Sequence, residues 1–371
     1  MASTRFENRY FNLVNSIKKG VTRMHLAYSR YLAHRDRKQV VRAKGNSVLT
    51  RQVKKQIKAY ARERYGSKAY WPYLAFYTEL RGEFKRGWLP YDYYRYFILP
   101  KINPYYLSYI SEQKSFDHIL FGEFAIRPLF VFIAGIYYDA EFKIIEKEKL
   151  NRFLSEYDDT IVVKEGRGTH GLQVRVLHSS EFDPGSLRAD INYVIQPYVK
   201  QYQPISDLYP DSVNTFRVVT YLRHDGSIHI KSVILRFGVN GSKIDNLSSG
   251  GHFIYFDKTG KPTKHGYNLM GIKQGERHIN TGYQYSEMKL PMFHEIGDSC
   301  IAAHRKYPYV RVIGWDICLD ESGQPKLIEW NAENPGYHPE EALFGPLWSD
   351  ADGVFPPGRS NQSHLTPVEN Q

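Results

Sequence analysis

The stretch GWDICLDESGQPKLIEWNAENPG, residues 314–336, predicts two short strands joined by a turn at Ser322 and Gly323. A hairpin on the surface of a soluble protein usually carries its charges on one face and its apolar side chains on the other. Here Asp316 and Glu329 stand among tryptophan, isoleucine and cysteine residues, so we expect both faces to be covered. Carboxylates in such strands need a specific reason to be there, because burying an uncompensated charge is costly.

The spacing predicts that these two carboxylates are neighbours across the strands. A two-residue turn pairs Leu319 with Lys326. The same register places Asp316 opposite Glu329, with their Cβ atoms about 5 Å apart. Asn331 shares the face of Glu329, because side chains alternate along a strand. Close carboxylates repel each other in a buried sheet, and Mg²⁺, which prefers carboxylate and amide oxygens, removes that repulsion. We therefore predict a magnesium site at these three residues, with a water-exposed edge hairpin as the structural alternative.

The composition is that of a folded protein. Of the 371 residues, 42% are hydrophobic and 15% aromatic, which is enough for a core and excludes global disorder. The longest apolar run, at 129–138, is about half of the ~20 residues that a membrane span needs, and we interpret it as a buried strand or helix. The first residues lack the apolar segment of a secretory signal. With only Cys300 and Cys318 present, we predict no disulfide framework and a reducing cytoplasm.

The net charge of +11 conceals a strong asymmetry along the chain. Residues 1–70 hold 18 Lys and Arg against 3 Asp and Glu, which is +15, so the rest of the chain, +11 minus +15, carries −4. We interpret 1–70 as a basic helical extension that tethers the protein and is dispensable for its chemistry. Three alternatives stay open for its positive face: simple solvation, docking on anionic lipid or a phosphorylated partner, and nucleic acid. Nucleic acid is least favoured, because the body of the protein is nearly neutral.

Apolar periodicity divides this extension into three predicted helices. The first carries an apolar stripe at helical spacing. The second covers 21–34, and the third begins after Ser47, a typical N-cap residue, and stops at Gly66. Further along, Pro90 predicts a helix that opens just after it, and from Thr160 onward short β runs predominate. The stripe of the first helix consists of Phe6, Tyr10, Leu13, Val14 and Ile17.

A glycine-rich segment, VVKEGRGTHGLQVRV at 162–176, joins two β runs. Lys164 ends the first run, and the loop that follows carries Gly166, Gly168 and Gly171. A Walker A loop is excluded, since no Gly-Lys-Ser/Thr occurs and a strand rather than a helix follows. A loop between two strands can still fold over phosphates, with backbone N–H groups and a lysine facing the anion. A flexible hairpin tip without a ligand is the alternative.

A second long hairpin, at 214–238, turns at an Asp-Gly pair. Its register puts Arg217 opposite Ile234 and diagonal to Arg236 on one face. Two guanidinium groups beside an acidic metal site would suit phosphoryl oxygens, so we predict catalytic roles for both arginines. Arginines on the exposed face of an amphipathic hairpin are the alternative. The segment IDNLSSGG that follows, with Asp and Asn before a glycine turn, is a candidate substrate loop.

Taken in this order, the motifs resemble the sugar-transfer-associated branch of the ATP-grasp superfamily over roughly residues 75–345. VVKEGRGTHG is similar to the family's phosphate-covering loop, VIQPYV to its linker between subdomains, and GWDICLD…LIEWN to its metal-binding hairpin. The family usually has Asp before its first ATP-binding lysine, where Gln113 stands here. The resemblance implies ATP contacts at Lys114, Lys164, Gly166, Gly168 and Gly171, and at the backbone around Gln196 and Tyr198. It implies catalytic roles for Arg217 and Arg236, substrate contacts at Asn214, Asp245 and Asn246, and metal ligation by Asp316, Glu329 and Asn331. A loop that begins at His278 is a further candidate for substrate binding.

The resemblance implies an α+β, ATP-grasp fold at 71–345, in which two subdomains grip ATP. The basic helical extension, 1–70, precedes it, and a disordered tail rich in Pro, Gly, Ser and Asn, 346–371, follows. The implied activity is an ATP- and Mg²⁺-dependent ligase that joins a carboxylate to an amine through an acyl phosphate, in a cell-surface polysaccharide or its precursor. A kinase of a saccharide hydroxyl and a non-catalytic nucleotide-binding scaffold at the membrane are the rivals. The expected location is cytoplasmic, at the inner face of the membrane if the extension binds lipid.

Overall fold

The structure is a computed structural model that describes residues 2–167, 174–242 and 244–354, without the side chains of 2–19 and Lys147. Predictions that concern Gly168, Gly171, the apolar stripe from Phe6 to Ile17 and the segment 355–371 lie outside these residues and side chains. In chain order the α-helices are α1 (Ala2–Lys44), α2 (Arg51–Tyr65), α3 (Trp71–Arg81), α4 (Tyr91–Tyr93), α5 (Leu99–Ile102), α6 (Tyr105–Ser108), α7 (Asp117–Phe121), α8 (Lys147–Glu156), α9 (Gln203–Ser206), α10 (Phe293–Lys306) and α11 (His338–Phe344). The strands are β1 (Phe130–Ile133), β2 (Ile136–Tyr138), β3 (Thr160–Glu165), β4 (Val174–His178), β5 (Tyr193–Pro197), β6 (Thr215–Leu222), β7 (Ile228–Phe237), β8 (His252–Tyr255), β9 (Tyr267–Asn268), β10 (Val312–Leu319) and β11 (Pro325–Asn331).

Two antiparallel sheets form the framework. The smaller sheet has the strand order β2-β1-β5-β3-β4, and the larger has the order β11-β10-β6-β7-β8-β9. The apolar run at 129–138 forms the hairpin of β1 and β2, with β1 buried in the small sheet. Helices packed beside antiparallel sheets confirm the predicted α+β class.

The helix α1 is continuous where the sequence predicted two helices with a break near Gly20. A glycine inside a helix costs about 1 kcal/mol relative to alanine, which weakens the helix without ending it. The chain leaves the helix only at Gly45, whose φ of 78° is left-handed. Within the described residues, no helix is both long and apolar enough to span a membrane.

The helix α2 begins and ends at capping residues. The hydroxyl of Thr50 accepts a hydrogen bond from the N–H of Val53, so Thr50 rather than the predicted Ser47 is the N-cap. The hydroxyl of Ser47 donates instead to the buried carboxylate of Glu79, at 2.5 Å. The predicted end at Gly66 is confirmed, since this glycine is left-handed with φ of 75°.

The basic extension belongs to the main core rather than to a separate unit. One buried cluster contains Ile57 and Tyr60 of α2, Trp88, and Val219 and Val312 of the large sheet. Packing therefore does not break at residue 70. Removing the extension would expose this core to water, so the extension is not dispensable for the fold.

The segment 346–354 is also packed on the body. Trp348 is buried and stacks on Tyr94 at a centroid distance of 5.9 Å. The buried carboxylate of Asp352 lies 2.7 Å from the ammonium of Lys231. The prediction of a disordered tail from residue 346 was therefore wrong for these residues, because an aromatic contact and a buried ion pair fix them.

The hairpin of β10 and β11 reaches its predicted pairing by a different route. At the turn, Leu319 pairs with Pro325, one residue earlier than predicted. A β-bulge at Ile328 then sets two residues of β11 against one of β10. Beyond the bulge Asp316 lies opposite Glu329, which confirms the pairing of the two carboxylates.

Candidate active site

A cavity of about 950 Å³ opens between the two sheets. Strands β3, β4 and β5 line one side, and β6, β7, β10 and β11 line the other. The cavity brings together most of the predicted site residues: Lys114, Lys164, Gln196, Tyr198, Arg217, Arg236, Asp245, Asn246, Asp316, Glu329 and Asn331. A concave site of this size between two sheets, lined by apolar side chains together with charged ones, can hold a ligand as large as a nucleotide.

Asp316 is the buried centre of the charged wall, with 1% of its surface exposed. It faces Arg217 directly across β10 and β6, and the guanidinium donates to both carboxylate oxygens at 2.5 and 2.9 Å. Arg236 reaches the same carboxylate at 3.1 Å. Burial by itself would raise the pKa of Asp316, but the two guanidinium charges outweigh it and hold that pKa below its ordinary value.

The two arginines converge because of strand register. Arg217 pairs with Ile234 between β6 and β7, as predicted, and Thr215 pairs with Arg236. The hydroxyl of Thr215 accepts from Arg236 at 2.6 Å, which holds the guanidinium toward Asp316. The arginines therefore lie in the cavity wall rather than on an exposed face, and the two guanidinium groups share the single negative charge of Asp316.

Glu329 and Asn331 fit a magnesium site better than Asp316 does. Both line the cavity two residues apart on β11, and 30% of the Glu329 side chain is exposed. Their carboxylate and amide oxygens are the ligands that Mg²⁺ prefers. Asp316 differs, because both of its oxygens accept hydrogen bonds from guanidinium groups. Across the described residues, no group of three or more His, Cys, Asp and Glu side chains is arranged to hold a metal ion.

Protein cations already offset the repulsion between the two carboxylates. Arg217 and Arg236 neutralise Asp316, and the ammonium of Lys114 lies 3.6 Å from Glu329. The repulsion that led us to predict magnesium is therefore not by itself a reason for a bound cation. The sequence could not show this, because the arginines reach the hairpin from β6 and β7, about 80 to 100 residues away in the chain.

The two lysines predicted to contact ATP approach the cavity from different elements. Lys164, at the end of β3, is 8% exposed, and its ammonium lies 3.5 Å from the carbonyl of Ile328. Burial lowers the pKa of Lys164, while the charge of Glu329 opposes that shift. Lys114 is tied to the glycine-rich segment, since its N–H donates to the carbonyl of Gly166 at 3.3 Å.

The linker after β5 offers one group whose hydrogen-bonding capacity is not used. The side-chain N–H of Gln196 donates to the carbonyl of Ile126 at 3.0 Å, and its buried side-chain oxygen lacks a partner among the described residues. The N–H of Tyr198 donates to the carbonyl of Thr160 at 3.1 Å, so it is occupied within the sheet. For reading an adenine, the side-chain oxygen of Gln196 is thus a better candidate than the N–H of Tyr198.

The predicted substrate loop faces the cavity through Asp245 and Asn246. The carboxylate of Asp245 accepts from the N–H of Thr215 at 3.0 Å and lies 3.6 Å from Arg236. The amide oxygen of Asn246 accepts from the N–H of Ser248 at 2.9 Å, which starts a single helical turn at 247–249. Asp245 thus positions the start of β6 and the side chain of Arg236. Asp245 and Asn246 both lie where a ligand would pass.

Two predicted substrate residues do not reach the cavity. Asn214 is fully buried, and its amide donates to the carbonyls of Ile205 and Tyr209, both at 2.9 Å. His278 is buried as well, with its ring nitrogen 2.9 Å from the carbonyl of Gly238. Both side chains hydrogen-bond to backbone groups of neighbouring segments, so we assign them structural roles in place of the predicted substrate contacts.

Sequence reasoning missed Glu340, which lies in the first turn of α11 and lines the cavity with 2% of its surface exposed. Burial raises its pKa to about 7, although the charges of Arg217 and Arg236 oppose the shift. A carboxyl group with such a pKa can accept or give a proton near neutral pH. One sequence signal could have indicated this position: Pro339 favours the start of a helix, which follows the hairpin of β10 and β11.

Replacing Glu340 with Gln is expected to flatten the pH dependence of stability. The pKa of Glu340 is about 7 in the folded state, above the ordinary value of 4.5. Between these two pH values the folded state binds more protons than the unfolded state, so the protein loses stability as the pH rises from 4.5 to 7. The variant should gain on the order of 3 kcal/mol over the parent at pH 8 and little at pH 4. Thermal melts across this range measure the difference, with the exposed Glu321→Gln as control. Parallel curves for parent and variant would contradict the assignment.

The sequence of this half of the molecule matches a known family. Residues 184–342 match the profile of the family described as sugar-transfer associated ATP-grasp. The matched residues contain the hairpin of β6 and β7 and the hairpin of β10 and β11, which confirms the resemblance, whereas Lys114 and Lys164 precede them. No curated protein matches the sequence.

Solved structures with some similarity to this chain share little sequence with it. The ATP-grasp ligase PsnB complexed with a minimal precursor is 14% identical, over 67% of this chain and 61% of that one, with a TM-score of 0.34. D-alanyl-alanine synthetase A from Vibrio cholerae is 11% identical, over 60% of this chain and 54% of that one, with a TM-score of 0.36. Biotin carboxylase from Campylobacter jejuni is 10% identical, over 62% of this chain and 42% of that one, with a TM-score of 0.40. This chain thus spans less than two thirds of each.

Proposed function

We propose that this protein is an ATP- and Mg²⁺-dependent ligase that joins a carboxylate to an amine and releases ADP and phosphate. One observation carries the proposal: a single cavity gathers two lysines, two arginines and the acidic hairpin, in a chain with an ATP-grasp segment. ATP brings about four negative charges and a carboxylate substrate a fifth, so a site that binds both needs concentrated positive charge. Lys114, Lys164, Arg217 and Arg236 supply it.

In the proposed reaction, a carboxylate oxygen of the acid attacks the γ-phosphorus of ATP and ADP leaves, which gives an acyl phosphate. The amine nitrogen then attacks the acyl carbon, phosphate leaves and the amine loses a proton. Arg217 and Arg236 bind and orient the phosphoryl oxygens from one wall, and Lys164 does so from the other. Glu329 and Asn331 would hold a magnesium ion, which supplies further positive charge to the phosphates when bound.

The polarity of the cavity suits this two-substrate reaction. Arg217 and Arg236, beside Asp316, attract anionic groups. Glu112, Glu333 and Glu340 line the same cavity and suit a cationic amine. The description of the family as sugar-transfer associated supports an acid or amine carried on a saccharide, such as a cell-surface polysaccharide or its precursor. Panels of uronic acids, amino acids and amines therefore contain suitable substrates.

ATP turnover is expected to require an acid and an amine together, with ADP and phosphate as products. The measurement is release of ADP and phosphate across the substrate panel, with the joined product identified by mass spectrometry. Lys164→Ala should abolish turnover, whereas Lys200→Ala, at an exposed lysine, should keep it. AMP and pyrophosphate as products would overturn the mechanism, and a phosphorylated hydroxyl would establish the kinase instead. Nucleotide binding without turnover on the full panel would favour the scaffold.

A further inference from the structure

The outward face of α1 presents a stripe of apolar and aromatic side chains to solvent. Its inward face is buried through Leu26, Ala33 and Val40, and α1 packs on α3. On the opposite face Met24, Tyr28 and Tyr31 are each 61% exposed, and Val21 is 41% exposed. We call these four residues, Val21, Met24, Tyr28 and Tyr31, the outer stripe.

The outer stripe follows one line of the helix surface. Its positions are separated by three, four and three residues, which matches the 3.6-residue period of a straight helix. The rings of Tyr28 and Tyr31 stack at a centroid distance of 6.4 Å. In the sequence, the same spacing continues toward the N-terminus at Ile17, Leu13 and Tyr10, all in α1. A scattered exposed apolar residue needs no explanation, but a continuous line of them does.

The same line becomes basic toward the C-terminal end of α1. After Tyr31, helical spacing leads to Arg35, Lys38 and Arg42, and all three are exposed. A helix with an apolar line and adjoining basic residues is typical of segments that lie in the headgroup region of a bilayer. Tyrosine also suits that region, because its ring is apolar and its hydroxyl stays in water.

We propose that the outward face of α1 binds an anionic lipid bilayer, with the outer stripe entering the headgroup region and the basic residues contacting lipid phosphates. Charge favours this occupant over a second copy of the chain, because pairing two copies would set one region of +15 against another. Nucleic acid would satisfy the basic residues but leave the outer stripe in water. The inference is independent of the proposed ligase activity.

Flotation of the full-length protein with vesicles tests the proposal. Vesicles of phosphatidylcholine with phosphatidylglycerol should carry the protein, and high salt or phosphatidylcholine alone should weaken binding. A variant with Arg35→Gln, Lys38→Gln and Arg42→Gln should bind on the order of 10²-fold more weakly. Since a tenfold change in affinity corresponds to ~1.4 kcal/mol, this loss corresponds to ~2.8 kcal/mol. A variant with Met24→Ser, Tyr28→Ser and Tyr31→Ser should bind about tenfold or more weakly.

Matched controls carry the same changes elsewhere on the surface. The charge control replaces the exposed Lys258, Lys261 and Lys289 with Gln, and the apolar control replaces the exposed Tyr106, Ile279 and Tyr309 with Ser. Both controls should float like the parent, and all variants should melt like it. Equal flotation of every variant, or no flotation of the parent, would overturn the proposal. So would a concentration-dependent dimer that the outer-stripe variant abolishes, because the face would then bind a second copy.

Discussion

Replacing Asp316 with Asn is expected to lower the free energy of unfolding by about 3–5 kcal/mol. The change keeps the size of the side chain but leaves Arg217 and Arg236 in the wall without their buried counter-charge. This differs from the role of magnesium ligand that the sequence predicted for Asp316. The pKa of Asp316 is depressed in the folded state. The ion pair therefore stabilises the parent at pH values above the ordinary carboxyl pKa of 3.8, and this stabilisation is lost as the pH falls further.

Chemical denaturation of the ligand-free protein at neutral pH measures this loss. The matched control is Asp190→Asn, which breaks an Asp–Arg pair with Arg188 whose side chains are both about two thirds exposed. Exposed pairs of this kind contribute little to stability, because solvent screens them and two long side chains must be ordered. If both variants lose the same small amount of unfolding free energy, Asp316 does not hold Arg217 and Arg236 in place, and its role must lie in ligand binding.

Glu329→Gln should have the opposite profile, with a stable fold and activity lowered by on the order of 10²-fold or more. Glutamine keeps the volume of the side chain, and Glu329 is partly exposed, so the structure tolerates the change. The loss of activity follows from removing the carboxylate that, beside the amide of Asn331 on β11, would hold a magnesium ion. Asn331→Ala should be milder, because it removes a neutral ligand.

ATP turnover across a Mg²⁺ titration, beside a thermal melt without metal, separates the two roles. A metal ligand is indicated if the variant melts like the parent but needs more Mg²⁺ or turns over slowly. Glu321→Gln, at the exposed turn of the same hairpin, is the control for charge. A variant that unfolds while its folded fraction turns over normally would make Glu329 structural and place the metal site elsewhere.

The sequence predicted pairings within hairpins better than contacts between distant segments. Arg217 opposite Ile234 followed from an Asp-Gly turn and strand alternation alone. The pairing of Asp316 with Glu329 was also right, although the turn was one residue off and a bulge compensated for it. Bulges depend on how a strand packs in the whole sheet, so a local pattern does not reveal them.

Polar residues were harder to assign than strands. Asn214 lies in a motif that the family match includes, yet its amide holds the backbone of a neighbouring loop. Glu340 was missed because its burial and its raised pKa come from tertiary packing, which a single acidic residue in a short helix does not announce. The packing of the basic extension was hidden for the same reason, since its basic composition concealed Ile57 and Tyr60, which are core residues.

Both ends of the described chain contribute to one core, and this has a consequence for biosynthesis. Ile57 belongs to the same apolar cluster as Trp348 and Val354. A ribosome therefore exposes the inner faces of α1 and α2 long before their last partners are made, and this cluster closes only once residue 354 has emerged. In that interval the nascent chain offers apolar helices to chaperones, or directly to a membrane, before the cavity between the sheets has been assembled.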